Sequence, residues 1–96
     1  MLLFDAHLDL AMNAVDLNRN LMQSVEDVRA QEISLGMTEL GRGTNTLTLP
    51  ELRAAGVGMC VATMIARCEP AINDSFGHIT PETCYAVAHA HLAYYR

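Results

Sequence analysis

The apolar run over Val57–Ile65 is the feature that most constrains the fold of this chain. The run is nearly continuously apolar. It lacks the apolar–polar alternation of a half-exposed strand. A continuous run of this kind, between Gly56 and an irregular segment over 66–79, is typical of a strand buried on both faces. Such strands occur in parallel sheets covered by helices, so the run predicts an α/β arrangement.

The rest of the chain predicts one further strand and several helices in alternating order. The predicted segments are a strand over 2–10, a helical turn over 10–15, and helices over 24–35, 49–55 and 80–95. Residues 2–10 alternate with the period of two of a strand. Ser24 and Thr80 are typical N-cap residues, Pro81 suits the first helical position, and Gly36 is a typical helix stop.

Composition and charge exclude some classes of function. The chain has 96 residues, 51% of them hydrophobic, and a net charge of −5. Nucleic-acid binding is not expected, because a phosphate-binding surface needs clustered cations. No segment approaches the roughly 20 apolar residues of a membrane span, and the amino terminus lacks the basic region of a secretory leader. We therefore expect a cytoplasmic protein, with its three cysteines as free buried thiols.

His7 and Asp9 are the residues that best match a metal site. They lie two residues apart at the end of the first predicted strand, so both side chains project from one face. An imidazole nitrogen and a carboxylate oxygen together suit zinc. Asp5 shares this face and is placed to orient His7. The alternative is that all three side chains simply face water, but a sheet covered by helices would leave them no water to meet.

Other polar residues give weaker signals. His89 and His91 are two residues apart on a predicted helix, about 200° of rotation, so they cannot bind one metal, and both are expected to be partly exposed. Arg42 stands between two glycines, and an anion-binding loop is an alternative there. Apolar residues at 85, 88, 92 and 95 predict the stripe by which the last helix packs.

The segments Phe4–Leu10 (FDAHLDL), Leu49–Gly58 (LPELRAAGVG) and Leu92–Arg96 (LAYYR) resemble the amino-terminal portion of the membrane dipeptidase (renal dipeptidase) family of zinc metallopeptidases, bacterial type. The resemblance covers essentially the whole chain. It implies about two βα units of a TIM-like (β/α)8 barrel of the metal-dependent hydrolase type. It also implies hydrolysis of dipeptides by a metal-bound hydroxide, with His7 and Asp9 as ligands of one zinc in a two-zinc centre.

The chain departs from the family in what it lacks. The family's centre also uses a bridging glutamate and two histidines from later strands, which have no counterpart here. We therefore expect residues 1–96 to be a truncated part of one barrel domain, since such a barrel needs about 250 residues. Its zinc site would be incomplete, with no catalytic residue of its own, and the chain would be inactive alone.

Two alternatives remain. One is a non-catalytic short module that self-associates through its unpaired strands or completes a partner chain. The other is a different amidohydrolase-type enzyme, although those usually carry H-x-H where this chain has His7 and Asp9.

Overall fold

The structure is a computed structural model that describes residues 1–68 and 77–96. The elements follow the predicted order, and their ends lie within about three residues of those predicted, the usual uncertainty of helix and strand ends. They are β1 (Leu3–Leu8), a π-helical turn (Met12–Asp16), α1 (Val25–Ser34), α2 (Leu49–Ala54), β2 (Val57–Ala62) and α3 (Pro81–Tyr95). Residues 69–76 of the predicted irregular segment lie outside the described residues.

Local chemistry accounts for the helix ends. The side chains of Ser24 and Thr80 each accept a hydrogen bond, 3.1 Å long, from the backbone N–H three residues further on. These bonds satisfy donors that the first helical turn leaves unpaired. Gly56 stops α2 with a φ of +81°, and a Cβ there would lie 3.1 Å from the carbonyl oxygen of Met1. Glycine at this position therefore allows the chain to turn closely past its own amino terminus into β2.

β1 and β2 pair in parallel, with Leu3 opposite Val57 and Leu8 opposite Ala62. Parallel pairing requires a long crossover, and residues 9–56 provide it with the π-helical turn, α1 and α2. α2 packs against β2, and α3 packs against the π-helical turn. Within the described ranges the sheet has these two strands, so the chain combines helices with a two-stranded parallel sheet.

The expectation that the second strand is buried on both faces is wrong for this chain. Met59 is 68% exposed and Val61 is 49% exposed, and Phe4 on β1 is 60% exposed. The reason is that β2 pairs with a single described strand and α2 covers only part of it. Tyr85 of the predicted α3 stripe is exposed as well. The cysteines are free, as expected, but Cys68 is exposed and the other two are half-buried.

The interior of the chain is unusually polar. Among the described residues, the buried apolar ones are Leu10, Ala11, Leu21 and Val28, and the buried polar ones are Arg19, Glu32, Asn45, Thr48 and His91. Burial of so many polar groups is tolerated only when they are hydrogen-bonded to one another. The interior is therefore held together largely by specific polar contacts.

Glu32 is the centre of the largest of these contacts. Its carboxylate accepts two hydrogen bonds from Arg19 (3.0 and 3.1 Å), one from Arg42 (2.7 Å) and one from the Gly43 N–H (3.0 Å). Burial alone would raise the pKa of Glu32, but the hydrogen bonds from the two arginines and from Gly43 outweigh it and lower the pKa to about 2. Arg42 thus binds a carboxylate of the chain itself, whereas an anion-binding loop would use it to bind an external anion.

Candidate metal site

His7 and Asp9 are brought together as the strand periodicity predicts. His7 lies near the end of β1, and Asp9 follows the last residue of that strand. The Nε2 atom of His7 is 3.1 Å from the Oδ1 atom of Asp9. The side chain of His7 is 66% exposed and that of Asp9 is 29% exposed. The contact is an ion pair or hydrogen bond in which Nε2–H donates to the carboxylate, so a metal bound by both atoms would have to displace that proton. The two atoms lie at a surface that a cation can reach.

The spacing of the His7 Nε2 and Asp9 Oδ1 atoms suits two ligands of one zinc ion. Zinc bonds of about 2.0–2.2 Å in tetrahedral geometry place neighbouring ligand atoms about 3.4 Å apart, close to the observed 3.1 Å. In residues 1–68 and 77–96, however, no group of three or more His, Cys, Asp or Glu side chains is placed to hold a metal. Within residues 1–68 and 77–96 the pair therefore offers two possible ligand atoms for a metal.

Asp5 acts on the backbone of His7. Its Oδ1 atom accepts a hydrogen bond of 2.9 Å from the His7 backbone N–H. The sequence suggested that Asp5 would orient the His7 side chain. This hydrogen bond orients the peptide group of His7, two residues along the same strand.

Thr63 and Tyr95 complete the surroundings of Asp9, and neither was singled out from the sequence. The Thr63 hydroxyl donates to Oδ1 of Asp9 over 2.5 Å. The Tyr95 hydroxyl donates to the Thr63 carbonyl (2.7 Å) and accepts from the Ala11 N–H (3.0 Å). Thr63 could have been noticed as the only hydroxyl residue in an apolar run. Tyr95 looked like one more member of an apolar stripe.

The Tyr95 hydroxyl is protonated, and its surroundings favour this form. Burial raises the pKa of Tyr95 above its ordinary value, and the nearby Asp9 carboxylate raises it further, against the opposing effect of the Ala11 N–H. A phenol of ordinary pKa is already protonated at neutral pH, and the raised pKa of Tyr95 extends this to more alkaline pH, so its hydroxyl can donate to the Thr63 carbonyl.

His91 has a structural role, and the expectation that it is partly exposed is wrong. It is fully buried, its Nδ1 accepts from the Ile65 N–H (3.3 Å), and its Nε2 lies 3.1 Å from Oδ1 of Asp16. α3 turns this side chain toward the π-helical turn, where both ring nitrogens find partners. His89 is exposed, as expected, and its ring lies 4.4 Å from that of Tyr85. The two histidines therefore point to different surroundings and share no site.

Comparison with known proteins identifies no family for this chain. No protein-family model, curated protein or solved structure matches the chain significantly. In the described ranges, no helix combines the length and the apolar character needed to cross a membrane.

Proposed function

We propose that this chain is the amino-terminal part of a zinc-dependent dipeptidase barrel in which His7 and Asp9 bind one zinc ion. The observation that carries the proposal is the 3.1 Å approach of the His7 and Asp9 side chains at the carboxyl end of β1. Active sites of (β/α)8 barrels lie at the carboxyl ends of their parallel strands. The resemblance of Phe4–Leu10 and Leu49–Gly58 to the membrane dipeptidase family gives the reaction, which is hydrolysis of a dipeptide.

The residues of this chain would bind the cation and leave it accessible. Asp9 would supply a carboxylate oxygen and His7 a ring nitrogen once the metal displaces its proton, and the exposure of His7 leaves room for a dipeptide beside them. Bound zinc would supply Lewis-acid chemistry toward a peptide carbonyl. The bridging glutamate and the two later histidines have no counterpart here, so the chain by itself is proposed to be inactive. A cytoplasmic location is part of the same proposal.

Zinc titration tests the metal site directly. We expect the chain to bind one zinc ion weakly, because its described residues place two side-chain ligands together. Asp9→Asn and His7→Ala should each weaken this binding by about tenfold or more, since each removes one ligand. Affinity is measured by competition with a chromophoric chelator. Absorption by bound Co²⁺ reports independently on the ligand set.

His89→Ala is the matched control, because it removes an exposed histidine that lies outside the pair. It should leave zinc affinity unchanged. Equal affinity in the wild type, Asp9→Asn and His7→Ala would contradict the site. Tight stoichiometric zinc with dipeptide turnover by the 96 residues alone would contradict the proposed inactivity.

The exposed sheet favours self-association as a second candidate function. The accessible surface is 6551 Å², whereas a compact monomer of 10.5 kDa exposes about 5,400 Å². The difference is comparable with the roughly 800 Å² that each partner buries in a standard interface. Exposed apolar side chains on both strands, including Phe4, Met59 and Val61, provide a surface of the right chemistry. A second copy of the chain could cover these side chains.

Met59→Lys tests self-association. A lysine in the middle of the exposed strand should raise the dissociation constant of a dimer about tenfold or more, because an ammonium group would have to be desolvated in the interface. Sedimentation velocity over a range of concentrations measures the effect. Leu40→Lys is the control, because Leu40 is 98% exposed and lies in the loop between α1 and α2. A wild-type chain that stays monomeric, or equal effects of the two variants, would contradict this candidate.

A further inference from the structure

We propose that Thr63 is a positioning residue for the candidate metal site, an inference that rests on the proposed function. Its hydroxyl holds the Asp9 carboxylate beside the His7 imidazole, and Tyr95 in turn holds Thr63. Thr63 would not bind the metal itself; it would act on the site by orienting Asp9.

Asp9 needs such support because it lies just beyond the last residue of β1. Its side chain has three staggered χ1 positions, and only some of them point the carboxylate toward His7. The Thr63 hydroxyl donates to Oδ1, the same oxygen that lies 3.1 Å from Nε2 of His7. A hydrogen bond to an ionised carboxylate is roughly twice as strong as one between neutral groups. This contact therefore favours the χ1 position that brings the Asp9 carboxylate next to the His7 ring.

The Thr63 hydroxyl also lies 3.3 Å from the Leu8 carbonyl, a longer contact than the one to Asp9, and two backbone hydrogen bonds fix the residue. Its backbone N–H donates to the Leu8 carbonyl over 3.0 Å, which ties the end of β2 to the end of β1. Its carbonyl accepts from the Tyr95 hydroxyl over 2.7 Å, and that hydroxyl also accepts from the Ala11 N–H over 3.0 Å. The support thus joins both strand ends to the last turn of α3. Rigid elements of this kind hold a ligand more precisely than a loop does.

The expected size of the effect follows from metal sites in general. Ligating carboxylates are usually hydrogen-bonded by neighbouring groups, and loss of such a neighbour weakens metal binding by about 10–100-fold. The neutral Thr63 hydroxyl is already donating to Asp9. It is therefore placed to orient a ligand.

Thr63→Val and Thr63→Ser separate positioning from packing. Valine keeps the shape of threonine without the hydroxyl, and serine keeps the hydroxyl without the methyl group. In the metal-free protein, three-bond NMR couplings report the χ1 of Asp9, and nuclear Overhauser effects report its proximity to the His7 ring. Zinc affinity is measured on the same variants. Tyr95→Phe provides a further variant that removes only the outer hydroxyl.

We expect one dominant Asp9 rotamer in the wild type and in Thr63→Ser, averaged rotamers in Thr63→Val, and partial averaging in Tyr95→Phe. Zinc affinity should fall by about 10–100-fold in Thr63→Val and return in Thr63→Ser. An Asp9 rotamer that is unchanged in Thr63→Val and Tyr95→Phe would overturn the inference, as would failure of serine to restore it. Averaged rotamers in Thr63→Val with no zinc binding in the wild type would support the positioning role while rejecting the proposed metal site.

Discussion

Glu32→Gln is expected to lower the free energy of unfolding by about 3–5 kcal/mol, the usual cost of removing one partner from a buried ion pair. Glutamine keeps the size of glutamate but has no charge. The side chains of Arg19 and Arg42 are each 6% exposed, so both guanidinium groups would lose their buried counter-charge. A domain of this size is stable by only about 5–15 kcal/mol. The variant should therefore unfold at a markedly lower urea concentration than the wild type, as followed by circular dichroism.

Glu39→Gln is the matched control, because it makes the same chemical change on another partner of Arg42. The Glu39 carboxylate lies 3.7 Å from Nε of Arg42, and its side chain is 44% exposed. Exposed ion pairs contribute about 0–1 kcal/mol, so this variant should remain close to the wild type. Equal loss of stability in the two variants would show that burial of Glu32 is not the cause.

The acid stability of the wild type and of Glu32→Gln gives an independent readout of the contact between Glu32 and the two arginines. The pKa of Glu32 is lowered from 4.5 to about 2 in the folded chain. The ionised Glu32 carboxylate therefore makes its full contribution to the free energy of unfolding above pH 4.5. This contribution, roughly 3 kcal/mol in total, is lost as the pH falls toward 2. The wild type should show this loss on acidification, whereas Glu32→Gln should lack it.

Local signals in the sequence were sufficient to predict the elements of the fold. Helix caps depend on a few neighbouring residues, which is why Ser24 and Thr80 gave the starts of α1 and α3 correctly. Strand alternation is also local, and it placed His7 and Asp9 side by side. The burial of Val57–Ile65 was wrongly predicted because burial depends on how many strands and helices surround a segment. An apolar run indicates that a strand can pack against other apolar elements. The number of such elements around it is seen only in the structure.

Long-range polar contacts could not be predicted in this way. Arg19 and Glu32 are 13 residues apart, and Tyr95 and Ala11 are 84 residues apart. No periodicity relates such positions, and each residue alone is common on a protein surface. The support of Asp9 by Thr63 belongs to the same class, because two strand ends must be paired before these side chains meet. The candidate ligands were thus visible in the sequence, whereas the groups that hold them were not.

His91→Ala should lower the free energy of unfolding by about 2–4 kcal/mol, because it opens a cavity and leaves buried groups without partners. The His91 ring is fully buried between the Ile65 N–H and the Asp16 carboxylate. The Asp16 side chain is only 10% exposed, so water cannot readily replace the lost hydrogen bond. Urea denaturation measures the loss, and amide hydrogen exchange at Ile65 should become faster.

His89→Ala isolates the effect of burial from that of helix propensity. His89 lies two residues earlier on the same helix and is exposed. Both substitutions replace histidine with alanine inside α3, so the gain in helix propensity is the same and cancels in the comparison. His89→Ala should change stability by no more than about 0.5 kcal/mol, as surface substitutions usually do. A similar loss in both variants would mean that the His91 ring does not anchor α3 to the π-helical turn.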